Sequence, residues 1–179
     1  HYTGSNWQLN YTVAGRNLND IEFTNPNNGW VVGDSGTIFH YDGSSWSPLA
    51  CPVNKKLLSV FFINDSVGYA GGEKSNFLKY KNGSWTQVSL NPYTVIYDIY
   101  DIAAIDTNNI YLATILGEVL HFDGTAWSLI VTPNGGNLKR IVFTDPQHGW
   151  ALGTGGAILF SDGANWSIQY YDTIPFNNP

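Results

Sequence analysis

The sequence predicts an all-β fold, a β-propeller or propeller segment built from four-stranded antiparallel blades. Three observations carry this. A segment ending in tryptophan recurs five times, closing at Trp7, Trp46, Trp85, Trp127 and Trp166, with spacings of 39, 39, 42 and 39 residues. Between the tryptophans, apolar residues alternate with period two, the pattern of strands rather than helices. Asp-Gly or Asn-Gly stands three residues before each of the last four tryptophans or close to it, a strong hairpin signal. A fixed period near 40 residues with strand-type content is the signature of blades stacked around an axis.

Each repeat divides into four runs. The first is Leu18 to Thr24, matched by Leu57 to Ile63, Tyr100 to Ile105 and Leu138 to Thr144. Ile21, Val60, Ile102 and Ile141 fall in one register, and Phe23, Phe62, Ala104 and Phe143 in another. The second run follows a polar turn such as Asn25-Pro-Asn-Asn-Gly29 or Asp145-Pro-Gln-His-Gly149 and opens on Trp30, Tyr69, Tyr111 or Trp150. Asn or Asp can bond its own backbone there, and Gly admits a positive φ. The third run is Thr37 to Tyr41, with Asn76 to Tyr80, Glu118 to Phe122 and Ala157 to Ser161 as counterparts. The fourth holds the recurrent tryptophan. Large aromatics at repeated positions read as wedges packed between neighbouring sheets.

The single predicted domain, 1–179, divides into a half blade over 1–13, repeats over 14–52, 53–94, 95–133 and 134–172, and a tail over 173–179. The half blade holds only third and fourth runs, and its inner two strands are not visible in 171–179. Ring closure therefore falls to an improvised strand, to a larger parent propeller, or to pairing between chains. The chain has no methionine and begins inside a repeat, as expected of a mature form or an excised or engineered fragment.

Composition excludes several functions. The net charge is −6 with only Arg16, Arg140 and six lysines, which argues against a phosphate-binding surface for nucleic acid. No apolar run approaches the roughly 20 residues of a membrane-spanning helix. Cys51 stands alone and reads as a small apolar side chain rather than a nucleophile. His1, His40 and His121 share one register on different blades, so no metal site is expected. No cofactor is expected either.

The pattern from Gly29-Trp30 through Trp46, repeated from Gly149-Trp150 through Trp166, resembles the bacterial repeat propellers of the neuraminidase-type (BNR, or Asp-box) and photosystem II assembly-factor-like kinds. The turn Asp42-Gly43-x-x-Trp46 is shorter than the usual Asp box. The resemblance implies a propeller but not one activity, because such folds host many roles. Sialidases of this kind carry three arginines around a carboxylate, and two arginines cannot supply them.

Binding residues are expected on the loops joining fourth to first and second to third strands, which share one end of the fold. The candidates are Asp34, Glu73 and Lys74 in the second-to-third turns, and Tyr93 and Tyr97 in the loop that lengthens the third repeat. The primary expectation is a non-enzymatic recognition module for a protein or glycan ligand, extracellular or periplasmic, belonging to a bacterial secreted or surface protein. The alternatives are a protein-interaction or assembly-factor propeller, a glycoside hydrolase using Asp34 and Glu73 as paired carboxylates, and a fragment that completes its ring as a homo-oligomer.

Overall fold

A computed structural model describes residues 4–9, 11–93, 97–133 and 136–170. It contains four antiparallel sheets of four strands each, with the strands of each sheet in chain order. The first blade holds β1 (Leu18–Asn25), β2 (Asn28–Gly33), β3 (Thr37–Tyr41) and β4 (Trp46–Pro48). The second holds β5 (Leu57–Asn64), β6 (Val67–Gly72), β7 (Phe77–Lys81) and β8 (Ser84–Gln87). The third holds β9 (Ile99–Asp106), β10 (Asn109–Thr114), β11 (Glu118–Phe122) and β12 (Trp127–Val131). The fourth holds β13 (Leu138–Asp145), β14 (His148–Gly153), β15 (Ile158–Ser161) and β16 (Trp166–Tyr170).

The first strands β1, β5, β9 and β13 lie side by side, so they form the inner arc of the propeller. The core is divided among the three junctions between consecutive blades. At the first junction Trp30, Val32 and Ile38 meet Leu57, Val60, Phe62 and Trp85. At the second, Tyr69 and Phe77 meet Ile99, Ile102, Leu112 and Trp127. At the third, Tyr111 and Val119 meet Leu138, Ile141 and Leu159. Neither face of an isolated blade could be buried alone, so stacking is what stabilises each sheet.

One cross-strand pair shows how the repeats conserve volume. Phe23 lies opposite Gly29, Phe62 opposite Gly68, and Phe143 opposite Gly149. A Cβ on Gly68 would stand 2.5 Å from the Phe62 ring. In the third blade the pair becomes Ala104 opposite Ile110, with bulk moved from one strand to the other.

The hairpin turns follow from their sequences. Asp42, Asp123 and Asp162 each accept hydrogen bonds from the two backbone N–H groups two and three residues on, at 2.7–2.9 Å. The glycines behind them, Gly43, Gly124 and Gly163, adopt positive φ. Such turns expose a carboxylate that is held ionised, and the Asp42 and Asp123 carboxyls lie at about 2.

The expected N-terminal half blade lies partly outside the described residues. Residues 1–3 and 10 lie outside the described residues, as does 171–179, so His1 and the tail are not placed. In the described part of 4–13, Trp7 makes an isolated bridge and no extended strand forms. The segment lies against the first blade, where the Tyr11 ring sits 5.1 Å from that of Phe39.

Candidate functional site

The second-to-third turns and the fourth-to-first loops meet at one end of the blades, held by backbone hydrogen bonds. The Asp34 N–H donates to Asn17 O, and the Gly36 N–H to Lys55 O in the loop entering the next blade. The second blade repeats this, with Glu73 N–H on Lys56 O and Ser75 N–H on Tyr97 O. Each turn thus bolts its own blade to the next.

In the first, second and fourth blades these turns use two consecutive left-handed residues, the conformation of tight hairpin turns. Ser35 and Gly36 have φ of 54° and 69°, and Gly155 and Gly156 of 76° and 74°. In the second blade the same positions are Lys74 and Ser75, both at 56°. Two non-glycine residues in this region cost about 1 kcal/mol each. That strain is stored at one of the predicted site residues.

Asp34 is absorbed by the scaffold. Its carboxylate accepts hydrogen bonds from the Asn17 backbone and side chain and from the Asn19 amide, and Lys56 Nζ lies 3.6 Å away. Partial desolvation pushes the Asp34 carboxyl up, but these donors and the ammonium more than offset it, leaving it below the usual range. A general acid for glycoside cleavage needs the opposite shift. Glu73 sits in the equivalent turn of the neighbouring blade, on its own loop, so the two carboxylates are each tied to separate blades.

The structure gathers Lys74, Tyr93 and Tyr97 more closely. The Lys74 N–H donates to Asp98 Oδ1 at 3.0 Å, and the Tyr97 N–H donates to Ser75 Oγ at 3.0 Å. Desolvation, then the charge and hydrogen bond of Glu118, then Tyr93 raise the Tyr97 phenol above its ordinary value. Tyr93 packs on the core of the second junction. Thr94, Val95 and Ile96 of the same loop lie outside the described residues. Beside the turn, a cleft of about 380 Å³ is lined by Lys74, Ser75 and the stretch from Gln87 to Leu90. The site therefore offers phenols, an ammonium and carboxylates on a rigid, polar, partly apolar surface.

Sequence reasoning overlooked Glu118 and Asp98, and it overlooked a second set at the inner strands. Asp20, Ser59, Asp101 and Arg140 share one register, the position before Ile21, Val60, Ile102 and Ile141. Asp20 Oδ2 accepts from the Val60 N–H and Asp101 Oδ2 from the Ile141 N–H, both at 2.8 Å. Arg140 Nη1 stands 3.3 Å from Asp101 Oδ1, and Ser59 donates to the same oxygen at 3.1 Å. Asp20, Asp101 and Arg140 line a cavity of about 310 Å³ between the inner strands. Their common register was the available signal.

His40 and His121 are packed within their blades. His40 lies across from Trp30 and bonds Asn28 Oδ1 through Nε2 at 2.6 Å, and His121 stacks on Tyr111. Among the described residues no cluster of three or more His, Cys, Asp or Glu could hold a metal ion. Burial pushes the Cys51 thiol up, away from nucleophilic character.

A family model described as photosynthesis system II assembly factor YCF48 matches residues 2–133, which covers the first three blades. The chain belongs to this family. Among solved structures, YCF48 bound to D1 peptide is 21% identical, with a TM-score of 0.55 over 85% of this chain and 68% of that one. YCF48 from Cyanidioschyzon merolae is 19% identical, with a TM-score of 0.55 over 88% of this chain and 70% of that one. Virginiamycin B lyase from Staphylococcus aureus, in selenomethionine form, is 12% identical, with a TM-score of 0.70 over 88% of this chain and 56% of that one. At such identities the structures share the fold with this YCF48-family chain. Among curated proteins none matches.

Proposed function

We propose that this YCF48-family propeller is a non-enzymatic protein-interaction module that holds an extended segment of a partner protein on its loop face. The family match over residues 2–133 carries this reading. A similar structure whose title describes YCF48 bound to D1 peptide supports a peptide as the ligand class. The loop face suits such a ligand: tyrosines provide apolar area with a polar tip, and turn backbones provide hydrogen-bonding groups. Tyr93, Tyr97, Lys74 and Glu118 are the contact residues, with Asp34 holding the neighbouring turn in place. This favours the assembly-factor alternative over the glycan-binding expectation. An extracytoplasmic location is part of the reading and rests on the polar, sparsely charged composition alone.

Calorimetric titration with D1 peptide and with a glycan panel tests it. Peptide binding in the micromolar range, weakened at least tenfold by Tyr93→Ala with Tyr97→Ala, is the expected result. Binding of a glycan with no binding of peptide would overturn it.

A further inference from the structure

We propose that Asn82 is a site of spontaneous covalent modification, deamidating to aspartate and isoaspartate through a cyclic imide formed with Gly83. The site lies in the turn between β7 and β8, at the end of the blade opposite the loop face. It is therefore independent of the peptide-binding reading.

The reaction needs an unobstructed backbone nitrogen after the asparagine and two amides that nothing else holds. Gly83 has no side chain to hinder ring closure, and a Cβ placed there would meet nothing within 4 Å. Lys81, Asn82, Gly83 and Ser84 are all exposed. Among the described residues, neither the Asn82 side-chain amide nor the Gly83 N–H has a hydrogen-bond partner.

The turn is also built to open. Lys81 pairs directly with Ser84, so only two residues reverse the chain, and both are left-handed, at φ 53° and 81°. Asn82 pays about 1 kcal/mol for that conformation. β8 is the outer strand of its sheet, paired with β7 alone. Such an edge opens locally far more readily than the core unfolds. Rotation of Asn82 out of its left-handed backbone then brings its side-chain carbonyl to the Gly83 nitrogen.

The comparable steps in other blades are protected. Asp42, Asp123 and Asp162 precede glycines too, but their carboxyls are held ionised, and a carboxylate resists attack by an amide nitrogen. Asn28-Gly29 has the same sequence but lies in β2. Asn28 Nδ2 donates to Thr24 Oγ1 at 3.3 Å, and its Oδ1 meets His40 Nε2 at 2.6 Å. Gly29 is fixed in the ladder between Phe23 and Tyr41. Asn134-Gly135 lies outside the described residues.

The steps balance as follows. The Gly83 nitrogen gives up its proton and bonds to Asn82 Cγ. The Cγ–Nδ2 bond breaks, and Nδ2 leaves with that proton as ammonia. Water then opens the five-membered imide. Attack at the side-chain carbonyl gives aspartate; attack at the main-chain carbonyl gives isoaspartate. Aspartate adds a negative charge beside Lys81. Isoaspartate also inserts a methylene into the main chain between Lys81 and Ser84, which a two-residue turn absorbs only by disturbing the register of β8. Trp85 follows at once, 6% exposed and edge-on to Phe62 in the first junction. The modification thus loosens the contact between the first two blades.

Peptide mapping by mass spectrometry, with labelling by an isoaspartyl methyltransferase, tests this on the folded chain held in mildly alkaline buffer. The peptide containing Asn82 should grow heavier by one dalton over time and become a methyl acceptor. The peptide containing Asn28 should stay unchanged until the chain is unfolded in urea. Asn82→Gln should abolish the change, and Gly83→Ala should slow it several-fold. The isoaspartyl fraction should unfold at a lower urea midpoint than Asn82→Asp, which carries the same charge without the methylene. An Asn82 peptide that changes only in urea overturns the proposal, as does an Asn28 peptide that reacts as fast in the folded chain. An isoaspartyl fraction as stable as Asn82→Asp overturns the loosening of the junction.

Discussion

The Asp101 carboxylate on β9 accepts a hydrogen bond from the Ile141 backbone N–H on β13 at 2.8 Å, across the junction between the third and fourth blades. The inner strand of each blade is a sheet edge, with N–H groups that no ladder partner satisfies. Asp101 supplies the acceptor from the neighbouring sheet. Asp20 does the same for Val60. Blades are thus joined by apolar burial and by a carboxylate-to-backbone bond that fixes their relative height. Asp101→Ala should cost about 3 kcal/mol, because it orphans a buried N–H and releases Arg140. Asp101→Asn, which keeps an acceptor, should cost less than half of that. Urea unfolding checks both.

Burial raises the Asp101 carboxyl, against the bonds from Ile141, Arg140 and Ser59 that lower it. The turn carboxylates Asp42 and Asp123 behave oppositely: bonds from Ser45 and Ser44, and from Thr125 and Ala126, hold them at about 2 against an ordinary 3.8. A depressed folded value contributes stability above the unfolded value and loses it as pH falls through the folded one. The acid-induced loss from these two turns therefore falls between pH 3.8 and about 2. Asp42→Asn with Asp123→Asn keeps the turn acceptors and removes the titration. Urea midpoints measured across that window should fall less steeply for this variant than for the wild type.

Gly68 faces the Phe62 ring so closely that an added Cβ would stand 2.5 Å from it. Gly68→Ala should destabilise the chain by about 1–3 kcal/mol through overpacking. With Phe62→Leu the cost of Gly68→Ala should shrink by at least about 0.5 kcal/mol, since the two sites share one space. Thermal or urea unfolding of the four chains of the cycle reads the coupling.

Lys74 holds a left-handed backbone at φ 56° where the fourth blade uses Gly155. Lys74→Gly should raise stability by about 0.5–1 kcal/mol while leaving the backbone bond to Asp98 in place. If Lys74 meets the partner, the same change should lower peptide affinity. Denaturation and titration of the one variant give both numbers.

Much of the architecture is legible in the sequence. Period-two alternation placed Ile21, Val60, Ile102 and Ile141 in register, and the turn aspartates Asp42, Asp123 and Asp162 fell where chain reversal needs an acceptor. These signals are local and repeated. Signals that depend on a neighbouring blade were not legible. Asp20 and Asp101 look like ordinary charged residues in β1 and β9 until the next sheet brings an N–H beside them. Trp150 shares its register with buried Trp30, yet is only partly buried, because no described blade follows it. Asp34 was expected to face a ligand, and Asn17, Asn19 and Lys56 engage its carboxylate. Of the candidate site, Lys74 was named from its place in a second-to-third turn, and Tyr93 and Tyr97 from an irregular loop length. Glu118 and Asp98 emerged only when β11 and the loop before β9 were brought beside them.

The central claim is that the loop end of the second and third blades holds the partner peptide. Amide hydrogen exchange of the chain with and without bound peptide tests it most directly. The account predicts added protection at Lys74, Ser75, Tyr93, Tyr97 and Glu118, with the Asp42 and Asp123 turns at the opposite end of the blades unchanged. Protection confined to those opposite turns, with the loop end unaffected, would contradict it.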